Sequence, residues 1–356
     1  MAKGLDDFKS KHDPSTIIAR LQRDLATAQS QVGMQATIAR ALELRLPQLE
    51  KYEPEKWTLT QKTDHKSPGV PTLFLSDIHC GEVVDPAQVE GCNSYNMDIF
   101  RKRLRHTIET AVRLLTILDR DMRYPGLFMP LGGDMVSGDI HEELQTTNEL
   151  PTIPTVLELC ESLVDAITFL LTYFPSIVIP CVSGNHGRNT RKTWAKNRNA
   201  TSFDWMLYAM LARRFANEPR VKFYIAAGSD ASYSIFNVRY LLTHGDQFRA
   251  GDSIIGPIGP IFRGNQKKLA RNTAIGKPYD VMLNGHWHKY IHTAQNITNG
   301  SMKGYDEYAM SENYGFEPPQ QALWVTHPRY GITFRMPVLC EPPRAPKDTP
   351  WHSVAA

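Results

Sequence analysis

Five short apolar runs, each ending in a polar motif, restrict this chain to folds that carry their working side chains at the ends of buried strands. Pro71 to Ser76 leads into Asp77-Ile78-His79, and Gly126 to Leu131 into Gly132-Gly133-Asp134. Ile177 to Val182 precedes Gly184-Asn185-His186, Tyr240 to Thr243 precedes His244-Gly245, and Tyr279 to Leu283 precedes Gly285-His286-Trp287-His288. Apolar runs of this length read as buried strands. An α/β sheet presents polar groups on the loops at the carboxyl ends of its strands. The spacing therefore predicts one shared site.

The residue types in these motifs are nitrogen and oxygen donors: carboxylates, an amide and imidazoles. Imidazole suits manganese, iron and zinc better than magnesium or calcium. Two histidines two positions apart, as in His286 and His288, both face one region when the chain between them is extended or turning. A lone Asp-x-His or Gly-Asp is a weak signal, because such pairs are common in turns. All five motifs in order are a strong one.

In order and content the motifs resemble the calcineurin-like metallophosphoesterase superfamily over roughly residues 71 to 336. The resemblance implies an α/β fold, a four-layer αββα sandwich, here with an N-terminal helical extension. It also implies two divalent transition-metal ions, with manganese favoured and iron or zinc as alternatives, about 3.5–4 Å apart. Matched position by position, Asp134 bridges the two ions. Asp77, His79 and His288 complete one, and Asn185, His244 and His286 the other. The implied chemistry is in-line attack on phosphorus by a metal-bound hydroxide, with His186 protonating or stabilising the departing oxygen. The catalytic set is then His186, Asp134 and Asn185.

Departures from the family pattern narrow the expectation. Protein Ser/Thr phosphatases of the superfamily usually follow Gly-Asp with an Asp-Arg pair and Gly-Asn-His with Glu. Here the corresponding segments read Met135-Val136-Ser137-Gly138-Asp139 and Gly187-Arg188. Those phosphatases also lack the second histidine of the last motif. The chain looks more similar to the phosphodiesterase and nuclease branch. Gly187 stands where an acidic residue often supports the histidine, and Arg188 is expected to compensate by binding phosphate. The expected function is dimetal-dependent hydrolysis of phosphodiesters, with nucleic acid as substrate and DNA nuclease activity as the specific reading. Hydrolysis of small or cyclic nucleotides is the alternative enzyme, and a catalytically inactive binding subunit of the same fold the alternative of another class.

The 356 residues are 42% hydrophobic and 22% charged, enough for one large domain with appendages. No apolar stretch reaches membrane-span length and the start has no signal-peptide core, so no membrane contact and a cytoplasmic location are expected, the host cytoplasm for a viral gene. Five cysteines without a Cys-x-x-Cys pair argue for reduced thiols. A net charge of +3 is close to neutral and does not by itself indicate a polyanionic partner.

Local clusters say more. Arg188, Arg191, Lys192, Lys196 and Arg198 follow Gly-Asn-His, and Arg188, Arg191 and Lys192 are the candidate substrate-binding residues. Arg263, Lys267, Lys268 and Arg271 form a second basic group. Trp194, Phe203, Trp205 and Tyr208 offer stacking surfaces for bases, or pack in a core. Residues 251 to 264, with Gly256, Pro257, Gly259 and Pro260, read as a loop over the site. Asp139 and Asp246 are expected to orient a ligand histidine, while His141, His292 and His327 match no motif.

Elsewhere, apolar periodicity predicts helices over residues 96 to 119, 156 to 174 and 202 to 215, and short strands over 222 to 226, 232 to 236, 239 to 243, 289 to 293, 322 to 326 and 332 to 336. Residues 1 to 50 form an N-terminal segment with heptad spacing, 51 to 70 a linker, 71 to 340 the catalytic domain and 341 to 356 a Pro-rich tail. Positions 18, 21, 25, 28 and 32 start the heptad series, which predicts one helix, or two separated near Gly33, over residues 15 to 46. Three uses compete for it: joining two protomers in a homodimer, packing on the catalytic domain, or a small helical DNA contact.

Overall fold

The computed structural model describes residues 14–49, 69–249 and 256–342. It divides into two units, Met1–Thr63 and Asp64–Ala356. In the first, helix α1 (Pro14–Leu49) runs unbroken for 36 residues. Gly33 does not interrupt it, and Pro14 stands at its first residue, where a fixed φ and a missing N–H cost nothing. Pro47 falls in the last turn, so the helix outlasts it by two residues. Most of the expected linker and tail, residues 51–68 and 343–356, lies outside the described residues.

The second unit is built on two sheets. The first has strand order β11-β10-β1-β2-β3-β4, from β1 (Val70–Phe74), β2 (Leu127–Phe128), β3 (Ile177–Cys181), β4 (Val221–Ile225), β10 (Gln320–His327) and β11 (Gly331–Leu339). The second has order β5-β6-β7-β9-β8, from β5 (Asp230–Ile235), β6 (Val238–Thr243), β7 (Val281–Asn284), β8 (Ile291–His292) and β9 (Asn296–Thr298). β1, β2 and β3 run parallel, as do β6 and β7, so the carboxyl ends that carry the motifs share an edge within each sheet.

Alternation of side chains sorts the strands into layers. Phe74, Tyr240, Leu242, Leu283 and Trp324 fill the core between the sheets. Leu73, Leu75, Ile177 and Ile179 point the other way, onto α2 (Met97–Leu118), α4 (Thr152–Leu170) and α5 (Phe203–Arg214). On the far side, Leu241 and Met282 of the second sheet meet Ile261 of α6 (Ile258–Ala274). The layers are therefore α, β, β, α. Asn96 caps α2 by accepting from the Ile99 N–H, and Ser202 does the same for α5 through the Trp205 N–H.

Helix α6 corrects the reading of residues 251 to 264 as a loop. From Ile258 onward the chain is helical, because Pro260 sits in the first turn, where proline is tolerated. Residues 251–255 lie outside the described set. Two short helices, α3 (Glu142–Thr147) and α7 (Glu307–Ser311), and strand β9 have no clear periodic signal. The predicted strand over 289 to 293 shrinks to Ile291–His292.

Candidate metal centre

Each motif residue emerges where a strand stops and the backbone turns sharply. Asp77, His79, Asp134, His286 and His288 all have φ between 49 and 70°. Non-glycine residues rarely adopt this left-handed conformation, which costs on the order of 1 kcal/mol or more each and clusters at functional sites. Two glycines make the approach close enough. A Cβ on Gly184 would lie 2.1 Å from Asp134 Oδ1, and one on Gly285 2.2 Å from Asp77 Oδ2.

The result is a continuous constellation. His79 Nε2 and His288 Nε2 are 3.1 Å apart, and His288 Nε2 is 3.5 Å from Asp77 Oδ1. His244 Nε2 lies 2.9 Å from Asp134 Oδ2 and 3.2 Å from Asn185 Oδ1. Asp134, His244 and His286 place one ligand atom each within 4.8 Å of one another, as do Asp77, His79 and His288. His79, Asp134 and His186 form a third such group that overlaps both.

These donors fit cations better than they fit each other. Two imidazole Nε2 atoms facing at 3.1 Å leave room for one proton between them, and two buried carboxylates flank the same space. Burial pushes Asp77 up, yet His288 and His244 outweigh it and hold the carboxyl below its ordinary range. Burial pulls His244 down, but Asp134 and Asp77 drive it to about 10. Burial, with His244 adding repulsion, takes His286 down to about 4. A cation here would take the place of the proton that the carboxylates hold on His244, and carboxylates and imidazoles in such a cluster are donors that suit transition metals.

Groups around the cluster fix its members. His186 Nδ1 faces the Ser137 carbonyl at 2.9 Å and His244 Nδ1 the Gly132 carbonyl at 2.8 Å, so each ring turns Nε2 inward. Glu82 Oε2 lies 3.3 Å from His79 Nδ1. That contact lacks hydrogen-bond geometry. Glu82 in turn binds Lys303 at 2.7 Å, and Lys303 binds Asp306 at 2.5 Å, all three buried.

Asp204 was not singled out by its sequence context. Fully buried at the start of α5, it accepts from the backbone N–H of Asp134 at 3.0 Å, Gly184 at 2.9 Å and Met135 at 3.2 Å. One carboxylate thereby ties the loops after β2 and β3 together. Burial raises it to about 6, with Asp134 adding to the rise. It also explains Gly187: a Cβ there would sit 2.8 Å from Asp204 Oδ1.

Other expectations change. Asp246 turns to Arg198, in a two-point fork at 2.9 and 3.0 Å, instead of orienting a histidine. Asp139 is exposed, and its carbonyl accepts from Gln145. Arg188 braces its own loop, donating to the carbonyls of Asn185 at 2.7 Å and Thr190 at 3.1 Å. Arg191 and Lys192 are exposed on that loop. Tyr208 is core, its hydroxyl on the Val182 carbonyl, and Phe203 is half-buried against the same core, while Trp194 and Trp205 stay exposed.

The α, β, β, α layering and the order of the motifs agree with what the resemblance to calcineurin-like metallophosphoesterases implies. No protein-family model and no curated protein matches it. Solved structures that resemble it include vacuolar protein sorting 29 from Cryptosporidium parvum, at 12% identity over 73% of this chain and 86% of that one, TM-score 0.29. A predicted phosphoesterase from Streptococcus pneumoniae shares 10% identity over 75% of this chain and 97% of that one, TM-score 0.27. A putative 5'-nucleotidase from Staphylococcus aureus shares 10% over 79% of this chain and 56% of that one, TM-score 0.30. Likeness at this level carries no weight for activity, which rests on the site's own chemistry. Among the described residues, no helix is long and apolar enough to cross a membrane.

Proposed function

We propose that this protein is a dimetal-dependent phosphodiester hydrolase whose substrate is nucleic acid, working as a nuclease with manganese as the favoured metal. The observation that carries this reading is the meeting of two three-donor groups, Asp77-His79-His288 and Asp134-His244-His286, at one buried edge. Bound there, two cations would polarise the phosphate and supply a nucleophile at neutral pH. Asp134, a member of the second group, also comes within reach of His79 of the first, and Asn185 adds an uncharged oxygen beside His244.

The remaining chemistry falls to His186. Its ring lies against that of His79, 4.6 Å between centroids, and its backbone N–H donates to Asp134 Oδ1 at 2.7 Å. Burial takes the imidazole down to about 3, with Asp134 pulling the other way. An anionic phosphate docked beside it acts in the same direction as Asp134. A proton on Nε2, favoured by that phosphate, would pass to the departing oxygen as the phosphorus–oxygen bond breaks. Exposed Arg191 and Lys192, with Trp194 on the same loop, suit a polyanion carrying bases.

Purified protein loaded with manganese should be assayed side by side on a generic diester, a monoester, a cyclic nucleotide, and single- and double-stranded DNA. Cleavage of DNA and the generic diester is expected. Turnover of the monoester alone would refute a diesterase, and turnover of the cyclic nucleotide without DNA would replace the nuclease reading.

A further inference from the structure

Just beyond His244 the chain turns through Gln247, Phe248 and Arg249 and, together with α6, walls an open pocket of about 440 Å³. Five cationic side chains line it: Arg249, Arg263, Lys267, Lys268 and Arg271. Asp230 accounts for two of them, binding Lys268 Nζ at 2.7 Å and Arg271 Nη2 at 2.5 Å. Among the described residues, no ion pair engages Arg249, Arg263 or Lys267, and all three are exposed. The pocket thus keeps a surplus of positive charge.

The cradle is built rather than incidental. Gly264 admits the Phe248 ring, which a Cβ would meet at 2.3 Å, and Lys268 Nζ stands 5.8 Å from that ring's centre. Residues 263, 267 and 271 recur every fourth position on α6. Like charges one turn apart repel, so this stripe weakens the free helix. Its members are spaced about 6 Å along the axis, similar to successive phosphates of an extended strand. Gln247 is three residues from His244, so the near wall of the pocket lies within about 11 Å of that ligand's Cα. Thr243 also donates to Gln247 at 3.3 Å, which fixes the turn to the end of β6.

We infer that this pocket is a backbone-anchoring subsite that holds phosphates of a nucleic-acid strand away from the bond being cleaved. The inference rests on the proposed function for its substrate class, but its binding can be read without catalysis. Anisotropy of a labelled single-stranded DNA oligonucleotide is measured on the full chain in EDTA across a salt series. The variant Arg263→Gln/Lys267→Gln is compared with Arg263→Glu/Lys267→Glu and with a control reversal, Arg105→Glu/Arg113→Glu, at exposed positions of α2.

Both pocket variants should bind at least about tenfold more weakly, and the neutral one should flatten the slope of log affinity against log salt by about 1.4 for two lost phosphate contacts. The control should match wild type. Equal binding by wild type and the neutral variant would overturn the subsite, as would a control that weakens binding as much. A nucleoside monophosphate competing as well as the oligonucleotide would overturn the strand assignment. Manganese-dependent cleavage is scored separately: DNA left intact by a wild type that binds through this pocket counts against the nuclease reading and leaves the subsite standing.

Discussion

Arg198 closes a two-point fork on Asp246, at 2.9 and 3.0 Å, with both side chains nearly buried. The same guanidinium donates to the Ser183 carbonyl at 3.2 Å, beside the Gly-Asn-His motif. The fork therefore joins the loop after β3, which carries Asn185, to the loop after β6, which carries His244. Removing one partner strands the other charge. Arg198→Ala should lower unfolding free energy by about 3 kcal/mol in a urea titration, and Arg198→Lys should recover only part, since it loses the planar fork. An unchanged midpoint for Arg198→Ala would show that the loops are held by other contacts.

Gly184→Ala tests how closely the second and third motifs must approach. The added methyl would meet Asp134 Oδ1 at 2.1 Å and its backbone nitrogen at 2.3 Å. Displacement of Asp134 should cost about 1–3 kcal/mol of stability and reduce bound metal, read by thermal unfolding and elemental analysis. Full metal loading with an unchanged melting temperature would contradict the geometry.

His186→Ala separates coordination from proton transfer. If the ring serves the leaving oxygen, metal content should persist while turnover falls by about 10²–10⁴. Elemental analysis showing a lost ion would instead make His186 a ligand, a role its grouping with His79 and Asp134 also permits. Asp134→Asn, by contrast, should lose both metal and turnover.

Acid should loosen α6 through Asp230. Burial raises this carboxyl, but Lys268 and Arg271 outweigh burial and leave it below the ordinary value. Lys268 is itself pulled down, by burial and by repulsion from Arg271, which together outweigh the attraction of Asp230 and Asp246, so the lysine loses part of what the aspartate gains. A lowered folded-state pKa gives stability that is present above the unfolded value of about 3.9 and is lost as pH falls through the folded value. Wild type should exceed Asp230→Asn in stability near neutral pH, and the gap should close below about pH 4. A gap that persists unchanged into that range would refute the linkage.

Because α1 continues through Gly33, the heptad positions Ile18, Leu21, Leu25 and Val32 keep one stripe along a single helix. We propose that this stripe pairs two copies of the chain. Sedimentation equilibrium should find a dimer, and Leu21→Lys with Leu25→Lys should shift it to monomer at the same concentration. Monomeric wild type at about 100 µM would end this reading, since a coiled coil of five heptads should associate well below that.

What the sequence determined by itself is local. An apolar run that stops at a polar residue marks where a strand leaves the core, so Asp77, Asp134, Asn185, His244 and His288 were legible as side chains at strand ends. The helices α2, α4 and α5 were legible through their 3.6-residue period, to within a few residues. Helix α6 was not, because Pro257, Gly259, Pro260 and Gly264 imitate a loop, although Pro260 occupies a first turn and Gly264 admits Phe248. Only the tertiary structure decided which ends meet. Asp204 reads as an ordinary acid at a helix start until β2 and β3 pair and bring three amide N–H groups onto it. Glu82 and Lys303 are 221 positions apart, and Arg198 and Asp246 are 48. Strand order sets such meetings, and it depends on the packing of the whole domain rather than on any pattern within a short stretch of chain.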